Sequence, residues 1–145
     1  MRATWWFRAA GILLLLFAGL HTFGFLSFRP ASAEGLAVWQ AMDQVHFRQG
    51  SATFSYGQFY RGFGLFITAF YLFTSWLAWS LGAMARRSAG EAARLAWGLI
   101  VLQCVGVGLS VALISAKPAT LSGVVVVCLV MGLVSLRRQT SARVA

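Results

Sequence analysis

The stretch AAGILLLLFAGLHTFGFLSF, residues 9–28, runs twenty positions without an Asp, Glu, Lys or Arg. A helix of that length rises about 30 Å, the thickness of the hydrocarbon core of a bilayer. Three further stretches repeat the pattern: Tyr60–Gly82, Ala92–Ser115 and Ala119–Leu136. Only Arg61 and Arg94, both near segment ends, place a charge inside them. The predicted fold is therefore all-α, an integral membrane four-helix bundle. Residues 1–145 form a single transmembrane domain, with an outward cap over residues 29–59 between the first two spans.

Composition agrees with this solvent. Of the 145 residues, 59% are hydrophobic and 10% charged, against roughly 25% charged in ordinary globular proteins. The net charge of +9 is spread over loops and termini rather than gathered into a basic run. It carries no nucleic-acid signature and reads as topogenic charge facing anionic lipid. Arg2, Arg8, Arg86, Arg87, Arg94, Arg137, Arg138 and Arg143 fall on one side of a four-span chain; Arg29, Arg48, Arg61 and Lys117 fall on the other. Eight against four puts both termini in the cytoplasm, with the cap facing outward. Arg2, Arg8, the first apolar run and Ala31-Ser32-Ala33 also have the parts of a secretory signal, and cleavage after Ala33 would leave three spans. The run is longer than a usual signal core and carries His21 and Thr22, which favours a retained span.

Local patterning refines the picture. Arg29-Pro30 ends the first span. Over Ala31–Phe47, Leu36, Trp39, Met42 and Val45 (or His46) recur at helical spacing between polar positions, predicting a short amphipathic rim helix stopped by Gly50. In the second span Phe59, Phe63, Phe66, Phe70 and Phe73 form one stripe. Gly64, Thr68, Ser75 and Gly82 form another, suited to close helix approach. Small residues inward and Phe toward lipid or between helices is the expectation, although such a stripe could also flank a quinone-like ligand. Gly98, Gly106, Gly108, Ser110 and Ala112 give the third span a similar small-residue character. The third and fourth spans are joined so briefly that they must be antiparallel neighbours.

Few polar residues remain to carry chemistry. His21 lies in the outer half of the first span, where an ionisable group faces the bundle and either bonds across helices or serves a site. Gln103, central in the third span, is expected to bond across the bundle. Asp43 and His46, three apart near the end of the rim helix, could form an oriented acid–imidazole pair or a helix-surface linkage. Tyr56, Tyr60 and Arg61 sit where the chain enters the second span, fitted either to brace the cap or to line a ligand entrance. His21, Asp43, His46, Tyr56, Tyr60, Arg61 and Gln103 are thus the candidate ligand-binding residues. No catalytic residue is assigned.

No cofactor or metal is predicted. Two histidines could meet a haem, but C-x-x-C-H and H-E-x-x-H are both lacking. Cys104 and Cys128 form no C-x-x-C pair, which argues against disulfide exchange, and both read as buried thiols. Glu34, Asp43 and Glu91 all lie outside the spans, which argues against proton-coupled export. No G-x-S-x-G turn supports a serine nucleophile.

His21-Thr22, the Met42…His46-Phe47…Gly50 stretch and Ser55-Tyr56…Phe59-Tyr60-x-Gly62-Phe63-Gly64 together resemble a family of small uncharacterised four-helix bacterial inner-membrane proteins. The resemblance spans roughly residues 20–82 and implies a bacterial inner-membrane location, with no reaction to carry over. A weaker similarity is to DoxX-like and sterol-isomerase-like four-helix proteins. The latter use membrane acids, which these spans lack.

The expected function is a non-catalytic accessory or hydrophobic-ligand-binding module. Its partners would be membrane lipid and a homo-oligomer or larger membrane complex, with no nucleic acid. The alternative is a membrane enzyme or carrier acting on a lipid-like or quinone-like molecule at an outward-opening cavity lined by His21, His46 and Tyr56.

Overall fold

The computed structural model describes residues 2–144, with side chains as far as residue 139; the Arg143 side chain, counted above among the cytoplasmic cations, lies outside them. Among the described residues five helices account for most of the chain: α1 (Arg2–Ser27), α2 (Ala33–Gln44), α3 (Tyr56–Arg87), α4 (Ala89–Leu113) and α5 (Ala116–Val144). Four of them, all but α2, are long and apolar enough to cross a membrane. They overrun the apolar runs because charged or polar ends such as Arg2, Arg86 and Arg87 still propagate a helix. Between α3 and α4 only Ser88 intervenes, its N–H bonded to the Met84 carbonyl and its carbonyl to the Ala92 N–H. Residues 114–115 alone join α4 to α5, and the two helices pack together.

Close contacts divide the chain into two units, Met1–Phe17 with Tyr71–Ala145 and Ala18–Phe70. In the larger unit four helices contribute one buried face each to a common core. Ala3, Phe7, Ala10 and Leu14 of α1 recur every three or four residues, as a helix needs to present one stripe. They meet Ala78, Leu81 and Ala85 of α3, Ala92, Ala96 and Leu99 of α4, and Val125, Leu129 and Leu133 of α5. Small residues set the spacing. Gly132 lies under the Phe7 ring, and a Cβ there would stand 2.7 Å from it. Gly11 lies on the α3 backbone, where Ser75 Oγ donates to the Gly11 carbonyl at 2.8 Å. Buried Gln103 belongs to this core, together with Ser110 on the same face of α4.

The smaller unit departs from the expected rim helix. Ser32 caps α2, its hydroxyl accepting from the Gly35 N–H at 3.0 Å, so the helix starts two residues after Ala31. It stops at Gln44 because Val45 turns extended. His46 and Phe47 then belong to a strand, β1 (His46–Gln49), paired antiparallel with β2 (Ala52–Ser55). Gln49 faces Ala52 across a two-residue turn whose first member, Gly50, has φ +63°, a conformation that favours glycine. A reciprocal capping box then launches α3: the Gln58 N–H donates to Ser55 Oγ at 3.1 Å and the Ser55 N–H to Gln58 Oε1 at 2.9 Å.

Candidate functional site

The sequence pattern of α3 positions the site. Its Phe stripe is exposed along its whole length, from Phe59 to Phe73. Gly64 and Thr68, within the 18–70 unit, face α1 instead. His21 Nε2–H donates to the Gly64 carbonyl at 3.1 Å, and that carbonyl also accepts from the Thr68 hydroxyl at 3.3 Å. The Thr22 and Thr68 hydroxyls share a 2.8 Å hydrogen bond. Gly64 makes room for the Phe25 ring, which a Cβ at that position would enter. His21 is thereby tied into helix packing and stacks on Phe25, with ring centroids 5.8 Å apart.

Above this contact an aromatic chain leads into the cap. Phe25 packs on Tyr60 at 5.2 Å, Tyr60 meets the edge of Trp39 at 5.7 Å, and Trp39 meets Phe28 at 5.8 Å. The Arg29 guanidinium sits 5.9 Å from the Trp39 ring centroid, and its Nη1 donates to the Phe28 carbonyl at 2.8 Å. The α2 helix lies close enough to α3 that a Cβ on Gly57 would collide with the Asp43 carboxylate. That closeness lets Asp43 Oδ1 reach Arg61 Nη2, one turn along α3, at 2.8 Å. Phe25, Leu26, Arg29, Trp39, Asp43, Tyr60 and Arg61 enclose a cleft of about 150 Å³.

Three of the sequence candidates, Asp43, Tyr60 and Arg61, therefore share one cleft. His21 sits one ring removed from it, behind Phe25. His46 is exposed, and its Nδ1–H donates to the Gln44 carbonyl at 2.7 Å; with β1 beginning at this residue, Asp43 turns to Arg61 rather than to His46. Tyr56 packs against Phe47 of the hairpin at 5.0 Å. Gln103 is buried in the core of the other unit. Sequence reasoning missed Phe25, Arg29 and Trp39 as site residues. Arg29 marked a helix end, and Trp39 was one member of an apolar face, so neither carried a signal of its own. Among the described residues no group of three or more His, Cys, Asp or Glu could hold a metal ion.

The cleft combines two guanidiniums, one carboxylate and aromatic walls, a set suited to binding the polar end of an amphiphile. It offers no assembled nucleophile and base. Comparison with protein-family models, with curated proteins and with solved structures yields no match.

Proposed function

We propose that the chain is a multi-pass protein of a bacterial inner membrane whose outward cap binds a lipid-like ligand without transforming it. The cleft carries this reading: aromatic Phe25, Trp39 and Tyr60 beside charged Arg29, Asp43 and Arg61 match a molecule that is apolar at one end and polar at the other. Membrane residence is supported by the outward surface. Only 28% of the most apolar window of α1 is buried, and the same holds for α3 and α4. Leu20, Phe23, Phe66, Val111 and Leu113 stand exposed, far more apolar surface than a water-soluble monomer presents. The cation asymmetry favours cytoplasmic termini. The bonding of His21 to the Gly64 carbonyl supports binding over catalysis, since the imidazole Nε2–H is committed to helix packing.

Native mass spectrometry of the full chain after gentle detergent extraction tests the reading. One amphiphile retained per chain, and lost on Trp39→Ala, is the expected result. A ligand-free spectrum, or retention indifferent to Trp39, would contradict it. Topology is checked with Ser51→Cys at the hairpin turn, in a background with Cys104 and Cys128 replaced by Ala. An impermeant maleimide should label that thiol on intact spheroplasts. Labelling that requires permeabilised cells would reverse the orientation.

A further inference from the structure

We infer that the cleft of the 18–70 unit recognises the phosphodiester of an anionic phospholipid, held by Arg29 and Arg61 together, with the acyl chains outside on the apolar helix surface. This inference rests on the binding reading above and names its ligand class.

Charge is the first reason. Two guanidiniums against the Asp43 carboxylate leave the cleft one net positive charge, which a monoanion neutralises in full and a dianion overshoots by one charge. Geometry is the second. Arg29 follows the end of α1, whereas Arg61 projects from α3, so the two forks come from different elements. A carboxylate presents two coplanar oxygens and is satisfied by a single fork. A tetrahedral phosphodiester directs its non-bridging oxygens apart and can give one to each arginine. Donor capacity is sufficient: each guanidinium has five N–H groups, whereas Arg29 donates Nη1 to the Phe28 carbonyl and Arg61 donates Nη2 to Asp43.

Size is the third reason. At about 150 Å³ the cleft is smaller than the roughly 300–1,000 Å³ that encloses a whole drug-sized ligand. It admits a headgroup and leaves two acyl chains outside. Those chains have a surface to follow in the same unit, where Phe23 and Leu26 on α1 and Phe63 and Phe66 on α3 are exposed. Trp39 follows the first apolar run and Tyr60 opens the second, the flanking positions at which aromatic rings are enriched in membrane proteins. Inorganic phosphate shares the anion chemistry but lacks the chains, so the two sources can be separated.

The test titrates the full chain in mild detergent with dihexanoyl phosphatidylglycerol, dihexanoyl phosphatidylcholine or inorganic phosphate, and counts retained adducts by native mass spectrometry. Phosphatidylglycerol should be retained one per chain and several-fold above phosphatidylcholine, with phosphate weakly held. Arg29→Gln and Arg61→Gln should each weaken phosphatidylglycerol by about tenfold, the ordinary loss for a charge-assisted bond. Arg61→Lys should fall between, keeping charge without the fork. Arg48→Gln, in the hairpin and outside the cleft, should change nothing, and circular dichroism confirms that each variant is folded. Equal retention of the two lipids, or phosphatidylglycerol unmoved in the Arg29→Gln/Arg61→Gln pair, would overturn the headgroup inference and leave the lipid-binding reading standing. Phosphate held as tightly as phosphatidylglycerol would overturn the amphiphile as the source. Retention of neither the anionic nor the zwitterionic lipid would overturn both readings.

Discussion

Replacing Gly64 by Ala tests whether α1 and α3 meet in the 18–70 unit as closely as described. The added Cβ would lie within the Phe25 ring, in contact with Cζ, Cε1 and Cε2. Relieving such a clash costs about 1–3 kcal/mol where a site is well packed. Removing a glycine from a helix interior returns about 0.5–1 kcal/mol. Phe25 is only half-buried and can swing, so the net loss should lie near the lower part of that range, about 1 kcal/mol. The displaced ring has the cleft on its other side, and its stack on His21 should be lost with it. Removing the ring should reverse the sign. In a Phe25→Ala background, Gly64→Ala should be neutral or stabilising by about 0.5–1 kcal/mol, giving a coupling energy of about 1–2 kcal/mol. Equilibrium unfolding of the four variants, by titrating SDS into mild-detergent micelles and following helicity, measures that cycle. An equal cost for Gly64→Ala in both backgrounds would show that Phe25 does not lie over Gly64, and the aromatic chain from His21 to Trp39 would lose its base.

Three further variants have expected outcomes. Gly132→Ala should destabilise by about 1–2 kcal/mol net, because Phe7 beneath it is fully buried and cannot swing away. Gly19→Ala, with nothing within 4 Å of its Cβ, should stabilise by up to about 1 kcal/mol in the same unfolding assay. Asp43→Asn should cost no more than about 1 kcal/mol, since the ion pair with Arg61 is between two exposed side chains. The same variant should raise phosphatidylglycerol retention several-fold by removing the opposing carboxylate; unchanged or lower retention would show that Asp43 does not face the ligand.

Long-range order was least legible where it depended on a short local signal being read correctly. Gly50-Ser51 between His46–Gln49 and Ala52–Ser55 is a recognisable two-residue hairpin turn, and Ser55-Tyr56-Gly57-Gln58 is a recognisable capping box. As a helix stop alone, Gly50 would let α2 run on to Phe47, whereas as the first residue of a hairpin turn it puts His46 on β1. The hairpin turns the chain back so that α3 begins beside the end of α2. That return, rather than the three-residue spacing to His46, gives Asp43 its partner in Arg61.

The four long helices and the two faces of α3 were determined by sequence alone, because both follow from local quantities. Apolar length decides whether a helix can face lipid, and a 3.6-residue period decides which side chains share a stripe. Phe59, Phe63, Phe66, Phe70 and Phe73 accordingly lie exposed, while Gly64, Thr68, Ser75 and Gly82 lie against α1. The cleft was decided only by tertiary structure. Phe25, Arg29, Trp39, Asp43 and Arg61 come from α1, the turn after it, α2 and α3, and no periodicity relates one element's residues to another's. They converge because one glycine turn reverses the backbone at Gly50 and one missing Cβ at Gly57 lets α2 approach α3.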